Sequence, residues 1–295
     1  MNSPGHRAFS FGRIAAITAN TLTELTRLKI FHVVLLFALL LIGSSIFMSQ
    51  FTFQQEFQVL KDVALGSMSL FTSLLAVVAT ARLLPQDLDD RTLYTILAKP
   101  VPRFEYLVGK LAGVLLLLAL SVIIMSALFL IALNVREQIV LHETMRQMSA
   151  SPPEQMAEAL RAVSASAFDM NLFPGIAIIY AKACLLASLT LFVSTFATTS
   201  IFTTVVMVFI YFIGHLQAIA RESWLQSNSV GWLTRVFLAF VTLLFPDLQL
   251  FNLVDDIVVG TAIPLALFAK TAALGFFYTG FYLLLAWTVF YRKEL

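Results

Sequence analysis

The sequence has very few charged side chains for its length. Of its 295 residues only 12% are charged, whereas 59% are hydrophobic. A soluble domain carries about 25% charged and about 45–50% apolar residues. The chain therefore cannot cover itself with a water-facing surface, which excludes a soluble enzyme and a disordered tail. Its net charge of only +2 offers no surface for a polyanion, so we expect no nucleic-acid partner.

Residues and motifs that could support catalysis, metal binding or nucleotide binding are also scarce. Cys184 is the only cysteine, which excludes an internal disulfide and a multi-cysteine metal or redox site. No G-x-x-x-x-G-K-[ST] motif is present, so the chain has no Walker loop for ATP. No Asp or Glu lies at the centre of a long apolar segment, where a membrane-embedded catalytic pair would be needed. We therefore expect no catalytic residue, no metal site and no cofactor.

Long apolar segments are what the sequence has in abundance. A helix needs about 20 apolar residues to cross the hydrocarbon core of a membrane, which is roughly 30 Å thick. Six segments meet this requirement and predict an all-α integral membrane protein with six transmembrane helices. They are residues 30–49, 63–84, 107–133, 173–196, 201–220 and 271–291. In the third, Gly109 and Gly113 form a G-x-x-x-G pattern, a spacing that permits close helix contact.

The basic residues predict how the chain is oriented. Lys and Arg collect in the cytoplasmic loops of membrane proteins. When the N-terminus is placed inside, the cytoplasmic side holds Arg82, Arg91, Lys99, Arg103 and Lys110, in the short loop between the second and third segments and at the adjoining segment ends. This pattern predicts a multi-pass protein of the cell membrane (inner or plasma membrane) with both termini in the cytoplasm.

Residues 221–270 do not fit a simple pattern of spans. Two apolar stretches, 230–245 and 257–268, are short for crossing a membrane, and prolines limit them, since Pro246 directly follows the first and Pro264 interrupts the second. If both crossed, their connection would form a cytoplasmic turn with Asp residues and no basic residue, against the charge rule. We expect outer re-entrant or interfacial helices between spans five and six. A chain with eight spans remains the alternative, and it also leaves the C-terminus inside.

Two further segments are predicted to lie outside the hydrocarbon core. Residues 11–28 place apolar side chains on one helical face and polar ones on the other, which predicts an amphipathic elbow helix in the membrane plane. Residues 134–172 form the main external segment, in which we expect two helices flanking Ser151. This segment is too small for a separate catalytic domain.

Residues 85–106 form the main cytoplasmic loop. Carboxylates suit the N-terminus of a helix, and here they precede a short predicted helix over residues 91–99. The carboxylates are those of Asp87, Asp89 and Asp90. As an isolated feature this cluster is typical of a capped, solvated helix end, and it lacks the nearby ligands of a metal site.

The short helix predicted in this loop has an apolar stripe. The stripe consists of Leu93, Ile96 and Leu97, and Pro100 ends the helix. No cytoplasmic part of the chain is large enough to bury these side chains. Either the membrane or a partner protein must therefore cover them.

Lys182 is the one cation deep within an apolar segment. An ionisable residue inside a membrane is a functional candidate by default. Lys182 either extends towards the interface or pairs with a helix dipole, or else it contacts a substrate or a gate. Ser69 and Ser73 give the second segment a polar side, and such hydroxyls either hold helices together or line a pathway.

The cytoplasmic loop and its continuation resemble the coupling loop of ABC-2 type transporter permeases. In that family an acidic cluster precedes a Thr-Leu pair, and a Leu-x-x-Pro-x-x-Arg run leads to Gly-Lys at the third span. The corresponding residues here are Asp87, Asp89, Asp90, Thr92, Leu93, Leu97, Pro100, Arg103, Gly109 and Lys110. Arg91 stands where the family usually has Gly. Phe245-Pro246-Asp247, followed by Phe251-Asn252, resembles the family's outer segment, and the subgroup most similar is that of permeases linked to copper-enzyme maturation.

The resemblance implies a single transmembrane permease domain over residues 1–295 and a division of labour. Two permease chains, identical or different, would form the pathway for an exporter. Separate ATP-binding subunits would dock from the cytoplasm onto the loop. The residues implied in coupling are Asp87, Asp89, Asp90, Arg91, Thr92, Leu93, Ile96, Leu97, Lys99, Pro100 and Arg103. A membrane scaffold or assembly subunit without transport, and an integral membrane enzyme, are the competing hypotheses.

Overall fold

The protein is described by a computed structural model, which covers residues 10–49, 56–89, 102–149, 152–225, 232, 246–261 and 263–292. These residues fold into helices and contain no strand. The helices are α1 (Phe11–Thr26), α2 (Lys29–Ser49), α3 (Glu56–Asp89), α4 (Arg103–Gln147), α5 (Pro153–Ala167), α6 (Leu172–Phe196), α7 (Ser200–Leu225), α8 (Val254–Val259) and α9 (Leu265–Arg292). A turn of 3-10 helix spans Leu248–Phe251.

Six of these helices are long and apolar enough to cross a membrane, and they contain the six predicted segments. They are α2, α3, α4, α6, α7 and α9. The predicted all-α membrane fold with six transmembrane helices is therefore confirmed. The span of α2 has a mean hydropathy of 2.5, and large apolar side chains such as Phe37 and Leu40 are exposed along it. Those side chains suit contact with lipid rather than with water.

Helix α6 is the central helix of the bundle. It packs against α3, α4, α7 and α9, and most of its residues are buried. A helix that is apolar on all sides is stable only where every side is covered by protein or lipid. Because α6 is enclosed by protein, its few polar groups face neighbouring helices rather than lipid.

Helix α1 packs lengthwise on the first turns of α4. A Cβ added to Gly109 would lie 2.7 Å from Ile17, and one added to Gly113 would lie 2.7 Å from Thr21. The Thr18 hydroxyl donates a hydrogen bond to the Gly109 carbonyl at 3.2 Å. The G-x-x-x-G pattern thus allows the two backbones to approach closely. An amphipathic helix exists where the elbow was predicted, and its position in the membrane plane stays a prediction.

The predicted external segment begins inside a helix that is much longer than its span. Helix α4 runs for 45 residues without a break, which corresponds to about 68 Å. It therefore extends well beyond a hydrocarbon core of roughly 30 Å. In its distal part, Arg136 forms a salt bridge with Glu56 at the start of α3. Helices α4 and α5 lie on either side of Ser151, as expected.

The predicted boundaries of the cytoplasmic loop were wrong on the side of α3. Residues 85–89 continue α3, with Pro85 inside the helix, and α4 begins at Arg103. Asp87 and Asp89 consequently belong to the C-terminal turn of a helix and not to the N-terminus of the next one. Proline had been interpreted as a helix end. Near a helix end in a membrane bundle, however, neighbouring groups can compensate for the lost backbone hydrogen bond.

The outer region also differs from its prediction. Residues 257–268 do not form one helix, because α8 ends at Val259 and α9 begins at Leu265. Gly260 adopts a φ of 80°, a left-handed conformation that terminates α8, and Pro264 precedes α9. The stretch 230–245 lies outside the described residues apart from Trp232. Its re-entrant path therefore stays a prediction.

Candidate functional site

The C-terminal end of α3 and the N-terminal end of α4 are joined by a buried ion pair. Lys110 Nζ lies 2.8 Å from Asp87 Oδ2, and both side chains are buried. The Tyr106 hydroxyl also donates a hydrogen bond to Asp87 Oδ2. Lys110 lies 3.6 Å from Glu24 of α1 as well, and its ammonium sits 5.9 Å from the centre of the Tyr106 ring. One cation thus links three helices.

The positions of these residues explain why the pair forms. Tyr106 and Lys110 are one turn apart on α4 and therefore share a face. Asp87 lies in the last turn of α3, where the negative end of the helix dipole disfavours a carboxylate. A buried carboxylate in that position needs a cation and hydrogen-bond donors, which Lys110 and Tyr106 supply.

A second ion pair fixes α1 to the beginning of α4. Arg13 donates to Glu105 through Nε at 2.6 Å and through Nη2 at 2.8 Å, and the Ser10 backbone N–H donates to the same carboxylate at 3.0 Å. This bidentate geometry is the strong form of an Arg–carboxylate contact. The hydrogen bond with Glu105 raises the pKa of Arg13 above its ordinary value.

Arg103 connects α4 to the end of α9. Its Nη1 donates to the carbonyl oxygens of Phe290 at 2.7 Å and Tyr291 at 3.0 Å, and its guanidinium lies 5.7 Å from the centre of the Phe290 ring. The last carbonyls of a helix have no partner within the helix, and a cation near them is favourable. We call the set of Arg13, Glu24, Asp87, Arg103, Glu105, Tyr106 and Lys110 the ionic base.

Only part of the predicted coupling set can be located. Asp87 and Arg103 belong to the ionic base, and Asp89 ends α3. The rest of the set lies outside the described residues, namely Asp90, Arg91, Thr92, Leu93, Ile96, Leu97, Lys99 and Pro100. Asp87 was interpreted as part of a solvated helix end and is instead buried. Glu105 and Tyr106 were not predicted as site residues. Charged side chains such as Glu105 and Lys110 at the start of an apolar span need partners of opposite charge, and this is the signal that could have pointed to the site.

A second candidate site surrounds Lys182 in the middle of the bundle. The side chain is buried, with 2% of the residue exposed. Lys182 Nζ lies 3.4 Å from Ser69 Oγ on α3 and 3.1 Å from His215 Nε2 on α7. It also lies 5.5 Å from the centre of the Tyr211 ring. The structure thus brings Lys182 and Ser69 together, whereas the Ser73 hydroxyl donates to the Ser69 carbonyl within α3.

The hydrogen bonds of His215 assign its tautomer. Nδ1 lies 2.9 Å from the carbonyl oxygen of Tyr211, and a carbonyl can only accept, so Nδ1 carries a proton. Nε2 then presents a lone pair, and the Lys182 ammonium donates to it. Neither Tyr211 nor His215 was predicted as a site residue. A His one turn from a Tyr in an apolar span is the signal that could have identified them.

Lys182 lines a cavity of about 270 Å³ between α3, α6, α7 and the segment before α8. Asp62, Gln249 and Asn252 contribute further polar side chains to its wall. The turn Leu248–Phe251 is held against α7, because Leu248 fills the space beside Gly214. Among the residues that the structure describes, no group of three His, Cys, Asp or Glu side chains could hold a metal ion.

The comparison with known protein families finds a match. A family model described as an ABC-2 family transporter protein matches residues 15–295. The match includes most of α1, every candidate span, the Lys182 cavity and all of the ionic base except Arg13. No curated protein matches the chain.

Proposed function

The chain belongs to the ABC-2 family of transporter proteins, and from this premise we propose that it is the membrane subunit of an exporter driven by a separate ATP-binding subunit. Membership makes it a multi-pass transport component and not itself a catalyst. The proposal adds the direction of transport and the partner ATPase. It also adds a second permease chain, identical or different, and a location in the inner or plasma membrane with both termini in the cytoplasm.

The ionic base is the observation that supports this proposal most directly. Residues 90–101, which contain the predicted apolar stripe, connect α3 to α4. Asp87 precedes this connection, and Tyr106 and Lys110 follow it. Lys110 forms a buried ion pair with Asp87, and the Tyr106 hydroxyl donates a hydrogen bond to the same carboxylate. Because the pair joins α3 to α4, a force applied through this segment would act on the ends of both helices. This is the property that a docking site for a moving partner requires.

The same base provides a route from the docking segment to the pathway. Arg13 and Glu105 link α1 to α4, and Arg103 links α4 to α9. Helices α3 and α9 both pack against the central α6. Closure of an ATPase below the membrane would therefore tilt α3, α4 and α9 together and change the surroundings of α6, which carries Lys182.

The proposal is tested by placing charge on the apolar stripe. The double variant Leu93→Asp/Leu97→Asp is expected to lose the ATP-binding subunit during purification in mild detergent and to lose ATP-driven transport. The reason is that a docked apolar stripe cannot accept two carboxylates without a large desolvation cost. The matched control is Thr95→Asp/Ala98→Asp, which adds the same charge to the opposite face of the predicted helix and should retain the partner.

Three results would contradict the proposal. One is a wild-type chain that never purifies with an ATP-binding subunit. Another is an equal loss of the partner in both double variants. The third is a complex that hydrolyses ATP and moves nothing across the membrane, which would favour the scaffold hypothesis instead.

A further inference from the structure

We propose that the Lys182 cavity binds a single anionic group, a carboxylate or a phosphate, at its buried end. The role of this site in transport rests on the proposed function, whereas the binding itself can be measured on the chain alone.

The site is centred on the positive charge of Lys182. Among the described residues no carboxylate lies within salt-bridge distance of its ammonium, whereas the buried cations Lys110 and Arg136 each have a carboxylate partner.

The hydrogen bonds of Lys182 leave capacity for a ligand. An ammonium carries three N–H donors. Within the described part of the chain, one donor is directed to His215 Nε2 and one to Ser69 Oγ, the latter at a long 3.4 Å. Both acceptors are neutral, so neither compensates the buried positive charge. An anionic oxygen in the cavity that Lys182 lines would supply the missing counter-charge.

The distribution of charge around the cavity indicates which anions fit. Asp62 lies seven residues before Ser69 on the same face of α3, which places it about 10 Å away along the helix axis. Asp247, outside the lining, also acts electrostatically on His215. The carboxylate of the cavity wall itself, that of Asp62, therefore lies at a distance from the positive end. This arrangement favours a ligand with one anionic group next to Lys182 and disfavours a second negative charge further out.

The neutral lining supports the same ligand class. Tyr211, Gln249 and Asn252 place hydroxyl and amide groups around the cavity. These groups can hydrogen-bond the uncharged polar part of a small molecule or of a lipid headgroup. A volume of about 270 Å³ accommodates a group of that size and excludes a folded macromolecule.

The test uses the histidine that accepts from Lys182 as its reporter. The full chain, labelled with ¹⁵N-histidine, is purified in dodecyl maltoside, a neutral detergent without phosphate. The chain has four histidines, so the His215 signals can be assigned with a His215→Gln variant. Methyl phosphate and acetate are then titrated at constant ionic strength. An anion at Lys182 draws the ammonium away from His215 Nε2, so a saturable shift of that resonance is expected.

A second arm identifies the source of the anionic group. The labelled chain is placed in phosphatidylcholine nanodiscs with increasing phosphatidylglycerol. A shift with methyl phosphate or acetate in detergent indicates a soluble ligand. A shift with phosphatidylglycerol alone indicates a lipid headgroup. Either result supports the anion site, and the absence of a saturable shift in both arms overturns it.

Variants separate this site from a general effect of anions. Lys182→Met is expected to weaken binding by at least about tenfold, because it removes the charged donor. Lys61→Met is the matched control, since Lys61 is also buried but donates to the Ser166 carbonyl at 2.8 Å outside the cavity. Equal titrations for wild type and Lys182→Met overturn the proposal. If binding fails while the ATP-binding subunit still purifies with the chain, the proposed function stands and only this site is lost.

Discussion

Single buried charges have two different environments in this protein. Lys110 is compensated by Asp87, whereas Lys182 has only neutral hydrogen-bond acceptors among the described residues. Removing one member of a buried ion pair leaves the other uncompensated, and the typical cost is about 3–5 kcal/mol. Removing an uncompensated charge has no such cost. The two lysines should therefore respond in opposite ways to the same substitution.

The substitution to compare is Lys→Met at both positions in the ligand-free chain. Lys110→Met should lower the melting temperature in dodecyl maltoside by about 6–12 °C, because Asp87 remains buried without its cation. Lys182→Met should leave the melting temperature unchanged or raise it. Scanning calorimetry of the two variants measures both effects.

A second substitution distinguishes an electrostatic effect from a packing effect at Lys110. The double variant Asp87→Asn/Lys110→Met removes both charges and should recover most of the lost stability. If the double variant is as unstable as Lys110→Met alone, the buried pair is not the reason for the loss.

The sequence identified some of these residues and missed others for a physical reason. Lys182 stands out because it is a lone cation in an apolar run, and Ser69 because it belongs to a polar side of its helix. The partners His215 and Tyr211 come from a helix more than 25 residues further along the chain, and no local pattern links them to Lys182. Asp87 was assigned to the wrong helix end because its contacts with Lys110 and Tyr106 are not visible in the sequence.

At the scale of the helices, α1 and α4 make a close backbone contact. The backbones meet at Gly109 and Gly113, where any side chain would collide with Ile17 or Thr21. In most helix positions alanine is favoured over glycine by roughly 1 kcal/mol. At these two positions the collision should reverse that preference.

The prediction compares Gly109→Ala with Gly280→Ala. In Gly109→Ala the added carbon would lie 2.7 Å from Ile17, so α1 must move away and its amide hydrogens should exchange faster. Gly280 in α9 has no atom within 4 Å of the added carbon and should tolerate alanine without loss of stability. Hydrogen–deuterium exchange of the α1 peptides measures the difference. Equal exchange in both variants would show that α1 is held by its ion pairs alone.

The helices themselves were predicted well, whereas their ends were not. All six apolar segments lie within observed helices, because the length of an apolar run is fixed by the membrane. The end of α3 is stabilised by partners such as Lys110 that are distant in sequence. The break in 257–268 depends on the left-handed conformation of Gly260, and the sequence alone did not reveal it.

At the scale of the whole molecule, the orientation in the membrane can be tested directly. The single cysteine makes this simple, since Cys184→Ala gives a background without thiols. In that background Met170→Cys, which is exposed between α5 and α6, should react with a membrane-impermeant maleimide in intact cells. Ser3→Cys at the N-terminus should react only after the membrane is opened. The reverse pattern would overturn the predicted orientation and with it the cytoplasmic position of the ionic base.

The arrangement of the six helices was not accessible from the sequence. Every span is strongly apolar, so periodicity does not say which one is enclosed by the others. The apolar segments predicted the fold class, and the six candidate spans confirm it. The family resemblance is confirmed by the match over residues 15–295. The central position of α6, and hence the burial of Lys182, emerges only from the packed structure.

The ionic base also has a consequence for how the protein is made. The first helix of the described chain is attached to Glu105, and the carbonyls that receive Arg103 belong to the last turn of α9. The ribosome synthesises α1 and Glu105 long before residues 290 and 291. Arg103 therefore cannot form these hydrogen bonds until every intervening helix and residues 290 and 291 have been synthesised. Closure of the base is thus a late event in biogenesis, because it cannot precede the synthesis of the last turn of α9.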